Sequence, residues 1–218
     1  MRRLFAVLVL GTLVSSSVAS AQSAPKPAPM KGYVEAVAQS AFGNVTSQSY
    51  GAEIGVNIRP SLQIYVEGGQ TRNAATAQLS AAAQTIAGGL SQIASNVGFS
   101  VKSPVTFGVV GVKFLIPVEG SKVMPYVLAG GGAASVKQNS VFTVGGTDVT
   151  SNLAQFGTVL GTDVSGSFTK PMFSVGGGVA YPIWQQLVLD FQVRFGRILA
   201  EDQGINITRA GLGIGVRF

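Results

Sequence analysis

The sequence predicts an all-β fold, namely an eight-stranded, antiparallel, up-and-down transmembrane β-barrel with long extracellular loops. Eight segments alternate between apolar and polar residues, and the connections between them alternate between short and long. Charged residues make up only 11% of a chain that holds 29 glycines. The polar face is therefore sparse, which suits a narrow barrel interior. The longest apolar run, residues 4–14, is too short to cross a membrane as a helix.

The N-terminus has the three regions of a secretory signal peptide. Two arginines precede the apolar run, and the small residues that follow it end in Ala19-Ser20-Ala21, a typical cleavage site. We expect residues 1–21 to be removed after Ala21 during export. An uncleaved anchor is the less favoured alternative, because the apolar run is short. The proline-rich residues 22–30 are predicted to form an extended periplasmic leader, and the barrel then covers residues 31–218.

The strand segments have lengths that suit tilted strands crossing a bilayer. In chain order they are residues 32–40, 49–58, 61–70, 107–116, 123–137, 171–181, 185–197 and 204–218. Connections after the second, fourth and sixth segments are short, whereas those after the others are longer and comprise residues 41–48, 71–106, 138–170 and 198–203. Outer-membrane barrels keep short turns on the periplasmic side, so both chain ends are predicted to lie on that side.

The parity of side chains along each segment assigns one face to lipid and one to the lumen. In the last segment Leu212, Ile214 and Val216 alternate with glycines and Arg217, and no charged side chain is expected on the apolar face. A soluble sandwich or a lipocalin-like barrel would also alternate, but its polar face would be densely covered with solvated residues. Aromatic residues near segment ends are predicted to form a periplasmic girdle. They are Phe114, Tyr126, Tyr181, Trp184 and Phe218.

The lumen face carries a balanced set of charges. Four acids, Glu35, Glu53, Glu67 and Asp190, face four bases, Lys113, Arg194, Arg209 and Arg217. Charges in a narrow lumen are costly unless they are paired, so ion pairs are expected. Strand direction suggests two stacked layers, with Glu35, Lys113, Asp190 and Arg217 nearer the periplasm. Such a lumen is either a plug held by ion pairs or a narrow gated pore, and small barrels are normally filled.

Two stretches resemble a known family. The ending Ala210-Gly-Leu-Gly-Ile-Gly-Val-Arg-Phe218 and the stretch Met124-Pro-Tyr-Val-Leu-Ala-Gly-Gly-Gly132 resemble the outer-membrane β-barrel family that includes the OmpA transmembrane domain, OmpX and the opacity-protein-like barrels. The resemblance implies a bacterial outer-membrane location, contact with outer-membrane lipid and recognition by the barrel-assembly machinery. It also implies that Leu212, Ile214, Val216 and Phe218 form the assembly signal.

The two longest connections contain further patterns. In residues 71–106, apolar residues recur at helical spacing and predict an amphipathic helix. They are Leu79, Ala82, Ala83, Ile86, Leu90, Ile93 and Val97. This helix is expected to lie on the outer surface or fold over the barrel mouth, or to contact a partner, with a flexible loop as the remaining alternative. In residues 138–170, Val141 to Val144 predict a strand extension and residues 152–160 a short helical turn.

Composition excludes several functional classes. The chain has no histidine and no cysteine, which removes the catalytic histidine and thiol on which most candidate chemistries depend, and we expect no enzyme activity. We expect no cofactor and no metal site, since no calcium-loop spacing occurs. The net charge of +6 falls to +4 without Arg2 and Arg3 and is spread along the chain, so nucleic-acid binding is not expected. The predicted function is a structural or surface-interaction barrel that meets an external ligand or host partner through loops 71–106 and 138–170. The alternative is a narrow gated pore for small solutes or ions.

Overall fold

The structure, a computed structural model, describes residues 31–157, 160–161, 164–200 and 204–218. The predicted signal peptide (1–21), the leader (22–30) and residues 201–203 lie outside these ranges. None of the helices in the described part of the chain is long and apolar enough to cross a membrane.

Ten strands, one α-helix and one 3-10 helix make up the described chain. The strands are β1 (Gly32–Phe42), β2 (Ser47–Arg59), β3 (Leu62–Thr71), β4 (Val97–Lys102), β5 (Val105–Leu115), β6 (Met124–Val144), β7 (Thr147–Asp148), β8 (Gly166–Pro182), β9 (Leu187–Ile198) and β10 (Ile205–Arg217). Helix α1 covers Ala77–Leu90, and the 3-10 helix covers Thr150–Phe156.

Eight of the strands form a closed antiparallel ring. Its order is β1-β2-β3-β5-β6-β8-β9-β10, and β10 pairs with β1 to close it, for example through Val216 opposite Val34. These are the eight predicted segments, so the predicted barrel is confirmed. Closure lets the backbone N–H and C=O groups of the edge strands pair within the barrel, which a bilayer requires. Because neighbouring strands of the ring run antiparallel, one end of the ring carries the start of β1, the end of β10 and the short turns at residues 60–61, 116–123 and 183–186. We call it the short-turn end and the opposite end the long-loop end.

The predicted alternation of side chains is observed, with two corrections. Along β2 and β5 the outward Ile54 and Val110 are about half exposed, whereas the inward Glu53 and Val109 are each 1% exposed. Tyr126 is inward and buried, so its predicted place in the girdle was wrong. The outward face is also not free of charge, because Lys137 of β6 and Arg197 of β9 are exposed near the long-loop end.

The connections differ from prediction at the long-loop end. Strands β1 and β2 extend further than expected, so the first connection shrinks to residues 43–46. Strand β6 continues to Val144, as the predicted extension over 141–144 required, and its outer part pairs with β4, which the sequence did not indicate. Strand β4 continues the line of β5 after a break at Ser103 and Pro104. The second connection is therefore largely folded rather than an open loop.

The predicted amphipathic helix is present but shorter than its apolar pattern. The Thr76 side chain caps α1 by accepting a hydrogen bond from the Leu79 backbone N–H at 3.1 Å. Two glycines, Gly88 and Gly89, weaken the last turn and the helix ends at Leu90. Ile93 therefore lies beyond the helix and is exposed, and Val97 begins β4.

Candidate functional site

A row of ion pairs crosses the middle of the lumen, and we call it the charged belt. Glu53 of β2 accepts hydrogen bonds at 2.5 Å from both Lys113 Nζ and Arg194 Nη2. Glu67 of β3 binds Arg194 Nη1 at 2.8 Å and Arg209 Nη1 at 2.7 Å. The belt therefore runs Lys113–Glu53–Arg194–Glu67–Arg209, with one residue from each of five strands. All five are at least 97% buried, so each charge depends on its neighbours for solvation.

Aromatic rings hold the cations of the belt in place. Lys113 Nζ lies 4.5 Å from the ring centroids of both Tyr33 and Tyr126. The Arg209 guanidinium lies 4.2 Å from the centroid of Phe107. Cations over ring faces are stabilised electrostatically, and more strongly when water is excluded. Tyr33 also donates its hydroxyl to Glu53 Oε1 at 2.5 Å, so the ring and the carboxylate fix Lys113 together.

The remaining lumen acids lie toward the short-turn end and have neutral partners. Gln192 Nε2 donates to Glu35 Oε1 at 2.8 Å, and the Tyr126 hydroxyl donates to Asp190 Oδ2 at 2.7 Å. Both acids line a small pocket that Arg217 also lines. The pocket volume is about 10 Å³, room for about one water molecule. No organic substrate fits this pocket.

All eight predicted lumen charges lie on the inner face, but their grouping differs from the predicted one. Lys113 was predicted in the layer nearer the periplasm, but it binds Glu53 of the other layer, so the two layers are not separate. None of the ion pairs found among the described residues involves Glu35, Asp190 or Arg217. Arg217 instead donates to the Met124 sulfur at 3.1 Å. The sequence analysis did not assign lumen roles to the aromatic and amide partners, although parity indicated that all of them except Tyr126 face inward. They are Tyr33, Tyr65, Phe107, Tyr126 and Gln192.

The lumen between the charged belt and the long-loop end is mainly apolar, with the buried hydroxyl groups of Ser49, Thr71 and Ser174 among the apolar side chains. Inward side chains of six strands fill it and are buried to 6% exposure or less. They include Ala41, Val105, Phe107, Val136, Met172, Ile198, Ile205 and Ile207. A filled section with so few polar groups offers a passing ion little replacement for its hydration shell, so it opposes conduction.

The connections at the long-loop end meet above this section, and we call the assembly the cap. Helix α1 buries Leu79 against Val164 of the connection between β6 and β8, and Val45 of the first connection packs on the same cluster. The connections that carry Val45 and Val164 join strands on opposite sides of the ring. Their contact therefore crosses the mouth. Of the alternatives for the helix, the structure favours the one that covers the mouth.

A second apolar cluster ties the cap to the extended β6 strand. Ala83, Ala87 and Leu90 of α1 pack with Phe142 of β6 and Leu153 of the 3-10 helix. Below them, the Ser140 hydroxyl donates to the Val164 carbonyl at 2.9 Å. The cap is thus a small folded unit with its own apolar interior.

The predicted assembly residues share the outward face of β10. Leu212, Ile214 and Val216 are about half exposed on the wall, and Phe218 is 58% exposed at the short-turn end. The Phe218 backbone exchanges hydrogen bonds with Gly32 at 2.9 and 3.0 Å, which fastens the chain end to β1. The geometry leaves their side chains accessible from outside the barrel.

The fold is similar to solved outer-membrane β-barrels. A major outer membrane protein from Thermus thermophilus has a TM-score of 0.50 and 13% identity, over 86% of this chain and 98% of that chain. Neisserial surface protein A has a TM-score of 0.46 and 17% identity, over 88% of this chain and 98% of that chain. The N-terminal β-barrel domain of Pseudomonas aeruginosa OprF has a TM-score of 0.47 and 17% identity, over 87% of this chain and 99% of that chain.

A scan against protein-family models and a search of curated proteins found no match. The closed ring of eight strands and the similarity to these solved structures show that the chain has the fold of an eight-stranded outer-membrane β-barrel protein, as the sequence resemblance implied.

Proposed function

We propose that this protein is an exported, non-enzymatic barrel of the bacterial outer membrane, and that its wall anchors the cap at the outer surface for contact with the environment. The outward wall of valines, isoleucines and leucines suits lipid contact. The cap and the loops 71–106 and 138–170 are the parts that would face an external ligand or host partner.

The observation that carries this proposal is that the lumen is closed at two levels. The charged belt crosses it at mid-depth, and the mainly apolar section under the cap fills the rest toward the long-loop end. A transport protein needs a continuous polar path, whereas a membrane anchor does not. The ordered interior of the cap, in turn, gives its outer surface a defined shape.

Cysteine labelling tests the orientation, because the chain has no cysteine of its own. Ser95→Cys places a thiol in the cap, and Lys122→Cys places one in a short turn. A membrane-impermeant maleimide added to intact cells should label the first variant and not the second. The reverse pattern would contradict the proposal. If residues 1–21 are removed, the mass of the purified protein should also equal that of a chain beginning at Gln22.

A narrow gated pore is the second candidate, and one observation favours it. Glu53 is bound by two cations at once, Lys113 and Arg194, so one could leave while the other keeps the carboxylate paired. Single-channel recording of the refolded mature protein in a planar bilayer separates the candidates. If the protein is a membrane anchor, the inserted protein should show no single-channel conductance. Conductance that changes in a variant with Arg194→Ala and Arg209→Ala would support the pore instead.

The role of the last strand in assembly needs a separate test. We propose that the barrel-assembly machinery recognises Leu212, Ile214, Val216 and Phe218. Phe218→Gln should lower the amount of folded barrel in cells and leave refolding into detergent unchanged, since only the cellular route uses the machinery. A matched change on the same wall, Phe191→Gln, should not produce this difference. Equal loss in both settings would indicate a folding role instead.

A further inference from the structure

Three cations lie together on the outward face of the barrel near the long-loop end. They are Arg72, just after β3, Lys102 at the end of β4, and Lys137 of β6, and all three are exposed. Their chain neighbours Thr71, Ser103 and Val136 are at most 2% exposed. The alternation along each strand therefore directs these three side chains outward. We call them the basic patch.

The strand register brings the three cations close together. Val105 of β5 pairs with Thr71 on one side and with Val136 on the other. Because these pairings are antiparallel, Arg72 and Lys137 both flank Pro104, and the Lys137 N–H donates to the Pro104 carbonyl at 3.0 Å. Two strand spacings separate Arg72 from Lys137 by about 10 Å. Lys102, two residues before Pro104, is a diagonal neighbour of both at about 7–8 Å.

The described part of the chain supplies no acid to neutralise the patch. Its acids lie in the lumen, in a short turn at the opposite end, or at the tip beyond β6. They are Glu35, Glu53, Glu67, Asp190, Glu119 and Asp148. Arg72 Nη1 donates to the neutral Gln48 Oε1 at 3.1 Å, which leaves its charge uncompensated. Three like charges at this separation repel one another, so an anion among them would be bound favourably.

The position of the patch identifies the anion. Below it on the same face is a polar row of Gln70, Thr106 and Ser135, which pair side by side across β3, β5 and β6. Below that row the wall is apolar or glycine. Arg72 and Lys137 lie two residues beyond the polar row, about 7 Å along the strands, and Lys102 lies four residues beyond it, about 13 Å. The headgroup layer on each side of a bilayer is about 5–7 Å thick, and long cationic side chains reach toward it.

We propose that the basic patch binds phosphate groups of lipid headgroups in the outer leaflet of the membrane. This inference rests on the proposed function, since it needs the barrel to be inserted with the long-loop end outside. The phosphate oxygens would accept hydrogen bonds from the Arg72 guanidinium and the two ammonium groups. Asn139, the strand partner of Lys102, adds a neutral polar group on the same face.

Lipid retention measures this binding directly. The refolded mature protein is inserted into phosphatidylcholine vesicles with and without phosphatidic acid, and the lipids that stay bound after transfer to detergent are counted by native mass spectrometry. The wild type should retain phosphatidic acid in preference to phosphatidylcholine. Each cation lost should weaken that preference about fivefold, and the variant Arg72→Gln, Lys102→Gln, Lys137→Gln about a hundredfold.

Matched variants separate the patch from a general effect of charge. Arg197→Gln removes an outward cation that pairs with Phe173 and Asn206 rather than with other cations, and it should leave the preference unchanged. Lys102→Arg with Lys137→Arg keeps the charge and should retain the lipid. Equal losses from Arg197→Gln and Lys137→Gln would overturn the proposal.

The remaining outcomes are also decisive. Displacement of the lipid by inorganic phosphate alone would mean a free-anion site and would overturn the lipid assignment. Binding of a soluble sulfated polysaccharide without any preference among lipids would do the same. Protein that inserts, as shown by protease protection, but has no preference for phosphatidic acid refutes this inference and leaves the proposed function intact. Protein that does not insert refutes both.

Discussion

The charged belt and the cap both close the lumen, but by opposite chemistry. The belt uses five fully buried charges from five ring strands, whereas the cap uses apolar side chains from connections that lie outside the ring. Removing one charge from the belt leaves others unpaired in a low-dielectric interior. Removing a methyl group from the cap only loosens a local contact. Disruption of the belt should therefore weaken the whole barrel, and disruption of the cap should affect the cap alone.

The largest effect should come from the centre of the belt. Glu53→Gln removes the carboxylate that both Lys113 and Arg194 bind. We expect the free energy of unfolding to fall by about 3–5 kcal/mol, measured by urea titration in detergent with the fluorescence of Trp184, the single tryptophan. Glu119→Gln, in an exposed turn, should change it by less than about 0.5 kcal/mol. Similar values for the two variants would mean that the belt is not a stabilising network.

The lipid-facing wall supports both closures and can be tested independently. Val193→Arg places a charge on the apolar face of β9, where Val193 is 43% exposed. Insertion into vesicles should become less favourable by about 2–4 kcal/mol if the site is near the midplane. Thr106→Arg, in the polar row of the same outward face, should cost about 0–1 kcal/mol. A neutral result for Val193→Arg would reverse the assignment of the two faces.

In the cap the effect should be smaller and local. Leu79 of α1 is 3% exposed and packs in one cluster with Val164, and Leu79→Ala should reduce the stability of the cap by about 2–3 kcal/mol. Hydrogen exchange should then speed up in α1 and remain unchanged in β1 and β9. Gln84→Ala, on the exposed side of the same helix, serves as the control. Faster exchange throughout the barrel would show that cap and belt are coupled.

The smallest effect concerns the tip of the cap. Thr150 donates its hydroxyl and its backbone N–H to Asp148 at 2.6 and 2.9 Å, and these bonds hold the pKa of the Asp148 carboxyl below its usual range. The stabilisation is therefore present at neutral pH and is lost as the pH falls through the lowered pKa. Amide chemical shifts of residues 147–150 should change in that acidic window. Asp148→Asn should remove the pH dependence, and its persistence would point to another group.

Sequence periodicity was sufficient for the barrel because the wall has only two environments. Lipid and lumen impose a period of two on each strand, and the parity of β9 and β10 identified Asp190, Arg194, Arg209 and Arg217 as inward-facing. The same rule could not place Tyr126. Its strand is so rich in glycine and alanine that neither parity was distinctly apolar, and a tyrosine is compatible with both environments.

Strand position predicted depth less well than face. Lys113 was expected in the lower layer, but its long side chain passes between Tyr33 and Tyr126 to reach Glu53. A count of residues along a strand does not take the length of a side chain into account. The sequence analysis also missed β4. Val97, Phe99 and Val101 do alternate with Gly98, Ser100 and Lys102, but Val97 was assigned to the apolar pattern of the helix, and the short strand pairs only with the outer part of β6. Such pairing depends on tertiary contact.

At the seam between the first and last strands, β10 has only glycines on its inner face between Arg209 and Arg217. A Cβ on Gly213 would lie 1.9 Å from Glu35 Oε1, and one on Gly211 would lie 2.5 Å from the Gln39 Cα. The side chains of β1 thus lie across the space that β10 leaves empty. When the two ends of the chain meet, β10 has few inward side chains to rearrange and only has to align its backbone. Closure at this part of the seam therefore needs alignment of two backbones and little repacking of side chains.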